Sequence, residues 1–514
     1  MAEWTARQRT RTEEAKANSG ITSSNFYHKD NKDNYANLDL SIPPALSDWA
    51  NRSVHALTPA QLAANHAYEE AYDKSMHRFQ QSNWETIVAD AEKGDAAAEL
   101  AVAFAYDDGK HNLSVDHSRA LSWFRRSAEH GSNRAAYELG GALFTAALNT
   151  NGDMTEAVRW MRVAADGGEP RAFSVLAWCC LENRGIKATP EETFHYIRVA
   201  AEGGDTRWIG WMSYCYYAGY GTPADDAKSF VWTKKGAELG DASLMFDLAG
   251  CYRDGTGVEE NMEESFAWMT KALAAGNQKA AFHVGIDLVL GRGTTADEAR
   301  GVAIIQKAAE AGDGRSEFQL AAWMVDGKHG VEKNVARALV LLDKSMAQGE
   351  ADAFEEMSVL SDQGRPPFLV ADDTRSFEYL KKAQELGPTM FRSYKLGMYY
   401  ILGKGCTADE AAGVPLVMSA ADDGEARAQY KAGDWLLHGN HVPKDVPRGL
   451  TFLHKSADQK NTDAINALAA LLEHGVYRNI DKAEQLKSAI ALYQQSADLG
   501  DEHAAQKVAE LTAK

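Results

Sequence analysis

The chain of 514 residues is short of cysteine, proline and long apolar runs. Five cysteines do not make a disulfide scaffold, which favours a reducing compartment, and twelve prolines exclude proline-rich disorder. No apolar run reaches about 18 residues, and the amino terminus lacks the apolar core of a secretory signal, so we expect a cytoplasmic protein without membrane insertion. Signal-independent export, or assembly into a virion, lies outside this argument.

Positive charge is also scarce. The 54 lysines and arginines stand against 73 aspartates and glutamates, giving a net charge of −19. This balance argues against nucleic acid and anionic membranes as partners and favours a protein with a basic surface. No G-x-S-x-G or H-E-x-x-H motif is present, and no acid–base pair stands out, so we expect neither an enzyme nor a bound cofactor or metal.

What the chain does have is an internal repeat. Segments such as KALAAGN, KGAELGD and KAAEAGD return along its length, each ending near a glycine. The spacing is 36 to 38 residues, with 40 in the last interval. Lys460 takes the place of one glycine, which gives eleven intervals. The punctuating glycines are Gly94, Gly131, Gly168, Gly204, Gly240, Gly276, Gly312, Gly349, Gly387, Gly424 and Gly500.

Each interval predicts two helices, A and B, separated by a glycine-rich turn. Apolar residues recur at three and four, and alanine is abundant where A and B would meet. A single pair of this size cannot bury its apolar stripe, whereas stacked pairs cover one another. We therefore expect a solenoid over residues 95–500, two capping helices over 58–94, a closing helix over 501–514 and a non-repeating arm over 1–57.

The turn between A and B often contains a glycine pair, such as Gly255 and Gly257. Glycines before a helix can hold a phosphate, but the same pair returns in several intervals and none is followed by the Lys-Ser/Thr of a P-loop. We predict instead that helix A ends there in a residue with positive φ.

These columns resemble the Sel1-like repeat, a subclass of the tetratricopeptide-type α/α repeats. The unit Ala242–Gly276 carries the residues of that pattern, namely Ala242, Leu248, Tyr252, Gly255, Gly257, Val258, Ala267, Trp268, Lys271, Ala272 and Gly276. The resemblance implies an all-α fold, a superhelical α/α solenoid of about eleven repeats with an extended N-terminal arm. It also implies a non-catalytic scaffold or adaptor that binds protein partners on its concave face.

Residues 1–57 suggest a second role. This arm is polar but contains Trp4, Phe26, Tyr27, Tyr35 and Trp49, aromatics suited to docking on the solenoid itself or on another molecule. The alternative function is therefore a structural component of a larger assembly, such as a secretion machine or virion, anchored by this arm. Deleting residues 1–57 would discriminate: loss of assembly with folded repeats supports the anchor, and unchanged partner capture supports the adaptor.

One interval is unusually aromatic. In the helix TRWIGWMSYCYY, three-residue spacing places Trp208, Trp211 and Tyr214 near one face, and Trp178 takes the Tyr214 position one repeat earlier. If helix A lines the concave side, these four residues form a candidate partner-binding cluster. The alternative is thicker core packing beneath the arm.

Two other groups could suggest chemistry. Cys179, Cys215 and Cys251 lie 36 residues apart, and equivalent atoms of stacked repeats should be roughly 8–10 Å apart, too far for disulfides. We predict small core residues there. His438 and His441 have a spacing that could suit a metal, but no carboxylate–histidine framework accompanies them, which favours ordinary loop polarity.

Overall fold

The computed structural model describes residues 83–204, 206–475 and 481–513. These residues form 24 α-helices, and within them the extended pairing is confined to an isolated bridge between Arg365 and Leu369. The chain divides into two compact units, Met1–Ala280 and Ala281–Lys514. The predicted arm over 1–57, and the first part of the predicted capping segment, lie outside the described residues.

The first unit contains the helices up to the middle of the repeat array. They are α1 (Trp84–Glu92), α2 (Ala96–Asp108), α3 (His117–Glu129), α4 (Asn133–Thr150), α5 (Thr155–Asp166), α6 (Pro170–Leu181), α7 (Pro190–Glu202), α8 (Thr206–Ala218), α9 (Asp226–Glu238), α10 (Ala242–Asp254) and α11 (Met262–Ala274).

The second unit contains the remaining helices, of which the first begins one residue before it. They are α12 (Ala280–Leu290), α13 (Glu298–Glu310), α14 (Gly314–Asp326), α15 (Val335–Ala347), α16 (Ala351–Gln363), α17 (Asp373–Leu386), α18 (Met390–Leu402), α19 (Glu410–Asp422), α20 (Ala426–His438), α21 (Val446–Asp458), α22 (Thr462–Glu473), α23 (Lys482–Asp498) and α24 (Glu502–Thr512).

Within each unit, even-numbered helices from α2 to α22 are A helices and the odd-numbered helices that follow them are B helices. Helices that follow one another in sequence pack together, as α10 does on α11 and α20 does on α21. The eleven predicted A–B pairs are therefore confirmed as an all-α solenoid, with α1 before the first pair and α24 after the last.

Aspartate begins many of these helices. At eleven helix N-termini an N-cap aspartate accepts a backbone N–H; Asp241, for example, accepts from the amides of Ser243 and Leu244 at the start of α10. A capping carboxylate satisfies amides that lack an intrahelical acceptor and interacts favourably with the helix dipole. Part of the negative charge in the sequence thus stabilises helix ends.

Small residues let helices A and B of one pair approach closely. The buried Ser265 of α11 donates from Oγ to the Ala249 carbonyl of α10 at 2.8 Å. A Cβ placed on Gly413 of α19 would lie 2.6 Å from the Gly397 carbonyl oxygen of α18. The predicted alanine contact is thus shared with serine and glycine, and serine adds a hydrogen bond across the crossing.

The glycine pair has the predicted conformation. Gly255 has φ of 66° and forms the left-handed C-cap of α10, and Gly257 has φ of 71°. A Cβ on Gly257 would lie 2.0 Å from the carbonyl oxygen of Asp226, the first residue of α9. The second glycine therefore seats each A–B turn against the B helix of the preceding repeat.

One punctuating glycine departs from the others. Gly387 has φ of −147°, whereas the other ten have φ between 85° and 104°. Pro388 follows it, and a residue before proline is restricted to extended conformations. The tripeptide Leu-Gly-Pro thus replaces the usual left-handed turn at this repeat.

Candidate partner-binding site

Helix α8 carries most of the aromatic residues singled out in the sequence. Its buried side packs Ile209, Met212 and Cys215 into the core, and Trp208, only 5% exposed, joins them. Trp211 and Tyr214 are partly buried. The helix therefore divides its aromatics between the core, which takes Trp208, and the surface layer.

Trp211 and Tyr214 are in direct contact. Their ring centroids are 5.4 Å apart, and the rings meet edge to face at 90°. This arrangement places the positive edge of one ring on the negative face of the other. The two rings thus hold each other in place at the edge of the core.

Trp178 belongs to the neighbouring A helix, α6. Its ring meets that of Phe144 on α4 edge to face, with centroids 5.2 Å apart. Partly buried aromatics therefore lie on three successive A helices, α4, α6 and α8. The sequence reading missed Phe144, although it falls on the A helix before Trp178 and its spacing from the glycine column could have indicated it.

Asp247 of α10 takes the position of Trp211 in the next repeat. It is partly buried, and burial, with a smaller contribution from the nearby Asp241 carboxylate, raises the pKa of Asp247 to about 7. At neutral pH this group is therefore balanced between the acid and the carboxylate. A cation brought to it by a partner would favour the carboxylate.

The glycine pairs leave no space for a phosphate of the kind held by a P-loop. In three repeats the second glycine, at Gly221, Gly257 or Gly405, lies against the first residue of the preceding B helix, with 2.0 to 2.1 Å between its ideal Cβ and a carbonyl oxygen. A carbonyl at that position presents negative charge to the loop. The structural interpretation of these glycines is therefore the one that the geometry supports.

The three cysteines spaced by 36 residues are free thiols, as predicted. Cys179 and Cys215 are completely buried and Cys251 is partly buried. Burial raises the pKa of each of the three thiols to about 12. Because the thiolate is the nucleophilic form, these residues serve packing and not covalent chemistry.

The two loop histidines have separate local partners. Nδ1 of His438 lies 2.9 Å from the Asp434 carbonyl within α20, whereas Nδ1 of His441 lies 3.1 Å from Oε2 of Glu410. The ring of His441 also packs 4.8 Å from that of Trp435. These contacts hold the turn between α20 and α21 in place. Across the residues that the structure describes, no cluster of three or more His, Cys, Asp or Glu side chains is arranged to hold a metal.

Among the described helices, none is both long enough and apolar enough to cross a lipid bilayer.

A comparison with protein families matches the Sel1 repeat to ten segments of the chain. Together they cover more than half of it: residues 94–132, 133–169, 209–241, 242–277, 278–313, 314–350, 357–388, 393–414, 426–461 and 462–501. The gap between the second and third segments coincides with the pair α6–α7, which the structure shows to be a further helical pair.

Solved structures similar to this chain also carry Sel1 repeats. A protective antigen of uropathogenic Escherichia coli strains, which displays an SLR fold, is 26% identical, with 84% of this chain and 91% of that chain covered and a TM-score of 0.57. A Sel1 repeat protein from Oxalobacter formigenes is 27% identical, with 64% and 93% covered and a TM-score of 0.43.

A curated relative is a chitin synthase regulator, SKT5, of Malassezia restricta. It is 26% identical over 192 residues, which are 36% of this chain. The match spans only 13% of that relative's length. Sel1 repeat proteins are generally scaffolds or regulators that interact with proteins, and their solenoids are typically non-catalytic.

Proposed function

This chain belongs to the Sel1 repeat family, and we propose that it is a non-catalytic scaffold that binds a protein partner through the A helices of its first unit. The partner-binding surface consists of Trp178, Trp211 and Tyr214, supported from below by Trp208. The observation that carries this proposal is the row of partly buried aromatic side chains on α4, α6 and α8.

Such a row has the chemistry of a binding hot spot. Tryptophan and tyrosine supply large contact areas with few rotatable bonds, and they dominate the energy of many protein interfaces. Trp211 and Tyr214 are already ordered by their edge-to-face contact. A partner side chain that packs on them therefore meets rings that lose little further freedom on binding.

The charge of the chain favours a partner with a basic surface. The net charge is −19, and Asp247 occupies the position next to the aromatic row in the following repeat. A lysine or arginine of the partner could pair with the Asp247 carboxylate and lie over an aromatic ring. Because ionisation of Asp247 costs free energy below about pH 7, binding should tighten as the pH rises through neutrality.

The relatives agree with a binding role without defining the partner. The Malassezia restricta protein is named as a regulator of chitin synthase, and the Escherichia coli protein as a protective antigen. Those roles belong to those proteins. What they support here is a family in which the solenoid presents a surface to another molecule.

The test is affinity purification of the full chain, quantified by mass spectrometry, with Trp211→Ala beside the unchanged protein. Val231→Ala is the matched control, because Val231 is an apolar side chain, 61% exposed, on the B helix α9. Circular dichroism melts of both variants verify that the repeats remain folded.

We expect one or more proteins to be reduced about tenfold or more with Trp211→Ala and to be unchanged with Val231→Ala, because loss of a central tryptophan costs at least about 1.4 kcal/mol of binding free energy. Each such protein is then purified and its Kd measured. If the recovered proteins are the same for all three forms, the aromatic row is not the binding surface.

A further inference from the structure

The second unit contains a cavity whose lining has the opposite charge to the chain as a whole. It has a volume of about 440 Å³ and lies between α18, α20 and the start of α22. Arg427, Lys431 and Lys460 line it, against the single carboxylate of Asp463. Three cations and one anion in a chain of net charge −19 mark this place as an exception.

The three cations are not used in ion pairs within the fold. In the part of the chain that the structure describes, none of them has a carboxylate oxygen within the 4.0 Å that defines a salt bridge, although lysines and arginines elsewhere, such as Arg448 and Lys507, do. Lys431 instead lies 5.3 Å above the ring of Tyr430. Their positive charge is therefore available to a ligand.

Two tyrosines complete the wall. Tyr394 of α18 and Tyr430 of α20 are partly buried, and burial is the main cause that raises the pKa of both phenols. Each phenol therefore stays protonated at neutral pH and keeps an O–H that can donate to an acceptor. Cations and neutral O–H donors together are the groups that recognise an oxyanion.

Lys460 stands where ten other repeats have a glycine with positive φ or, at Gly387, an extended glycine. Its own φ is 65°, a conformation that a side chain with Cβ rarely adopts. The turn is held by Gln459, whose Nε2 donates to the Gly424 carbonyl at 3.0 Å and to Oε1 of Gln429 at 2.8 Å. The fold thus fixes a lysine at the cavity where glycine would be less strained.

We infer that this cavity binds a single oxyanion, the carboxylate or phosphate group of an acidic peptide side chain, through Arg427, Lys431 and Lys460. Tyr394 and Tyr430 donate hydrogen bonds to it, and the Asp463 carboxylate weakens the attraction. This site lies in the second unit and is separate from the aromatic row of the first. The chain therefore has a recognition site for acidic groups besides the surface proposed for a basic partner.

The test is fluorescence anisotropy of the full chain with three amidated, rhodamine-labelled peptides, Gly-Ser-Gly-X-Gly-Ser-Gly. X is phosphoserine, glutamate or glutamine. The variants are Arg427→Gln, Lys431→Gln, Lys460→Gly and Asp463→Asn, with Lys444→Gln as the control, because Lys444 is an exposed lysine in the neighbouring loop that does not line the cavity.

At least one anionic peptide should bind with Kd below about 1 mM and at least about fivefold more tightly than the glutamine peptide. Whichever of the phosphoserine and glutamate peptides binds more tightly identifies the source of the oxyanion. Arg427→Gln and Lys431→Gln should each weaken binding by roughly 3–10-fold, and Asp463→Asn should tighten it. Lys444→Gln should change nothing.

Lys460→Gly separates binding from folding. It restores the residue that suits a positive φ, so the melting temperature should stay the same or rise while the affinity falls. Absence of measurable binding at 1 mM, equal binding of all three peptides, or the same affinity in every variant would overturn the inference. A Trp211→Ala protein should bind the peptides normally, so this result stands apart from the test of the aromatic row.

Discussion

At the scale of single residues, the two glycines of one pair have different tasks. Gly255 ends α10 and has open space around it, with 3.6 Å from its ideal Cβ to the nearest atom, whereas Gly257 lies against the Asp226 carbonyl. Gly257→Ala should therefore cost about 3 kcal/mol or more, since the strain of a positive φ is joined by a backbone collision. The shift in the midpoint of urea unfolding, followed by circular dichroism, measures it.

The control for this change is Gly255→Ala, which introduces the same methyl group at a similar φ. It should cost only about 1 kcal/mol, because no backbone atom must move. Equal losses for the two alanine variants would show that the second glycine is needed for its conformation alone, and not for its approach to the preceding repeat.

Asp247 makes stability depend on pH in a predictable direction. Its pKa is about 7 in the fold and near 3.8 when unfolded, so the acid form is the one that the fold favours. Its contribution is complete below about pH 3.8 and is lost as the pH rises towards 7. Asp247→Asn, which keeps the shape and removes the ionisation, should therefore raise the melting temperature at pH 8 by roughly 2–4 °C.

At pH 3.5 the same variant should melt within about 1 °C of the unchanged protein, provided that both remain folded, because the native side chain is then protonated. A paired scan at the two pH values measures the difference. An equal stabilisation at both would mean that Asp247→Asn acts through packing and not through ionisation.

At the scale of helices, the sequence was sufficient for the repeat and insufficient for the side of one helix. The period of 36 to 38 residues predicts the eleven A–B pairs, because each pair buries its stripe only against a neighbour. Trp208 shows the limit. A spacing of three residues drifts by about 60° around a helix at each step, so Trp208 lies about 120° from Tyr214 and faces the core.

Other features depend on contacts between repeats, and the pattern of one repeat does not contain them. The sequence shows that a second glycine recurs, but the reason for it, the carbonyl of the preceding B helix, belongs to the stack. The cationic cavity likewise gathers residues from three repeats, over 394–463. Only the departure of Lys460 from the glycine column pointed towards it in the sequence.

Arg392 links two A helices in the second unit. Its guanidinium is buried on α18, donates to Oε2 of Glu355 at 2.6 Å and to the Gly387 carbonyl at 2.5 Å, and also pairs with Asp352. It thereby takes over the turn that Pro388 prevents from forming in the usual way. Arg392→Met should cost about 2 kcal/mol, because the Gly387 carbonyl and Glu355 lose a donor.

Thermal unfolding of Arg392→Met beside Arg375→Met makes the comparison. Arg375 lies on the exposed side of α17, 3.5 Å from its cap residue Asp372, and its loss should cost less than about 0.5 kcal/mol. Similar losses for the two variants would contradict a structural role for the buried guanidinium. Arg392→Lys should not restore stability, because one ammonium group cannot reach all three acceptors with the same geometry.

At the scale of the whole molecule, charge and repetition act together. Eleven aspartates serve as helix caps, so the net charge of −19 is partly a consequence of building many short helices. Local charge is then the better guide to recognition. The surface beside Asp247 suits a basic partner, and the cavity lined by Lys460 suits an acidic group. A scaffold built this way can engage two chemically different ligands through different repeats.

The repeated architecture also predicts how the second unit loses structure. Leu453 of α21 is buried with Ala464 and Leu468 of α22, and Leu453→Ala should cost about 2–5 kcal/mol through the cavity that it leaves. Because each pair contacts mainly its neighbours, hydrogen exchange followed by mass spectrometry should become faster in α20, α21 and α22 and change little in α12, α13 and α14. Leu402→Ala, at a side chain that is 68% exposed, should leave exchange unchanged throughout. Faster exchange of equal size in all helices of the unit would show that it unfolds as one cooperative body, in which case a ligand bound at the cavity would stabilise every repeat of the unit and not only those that hold it.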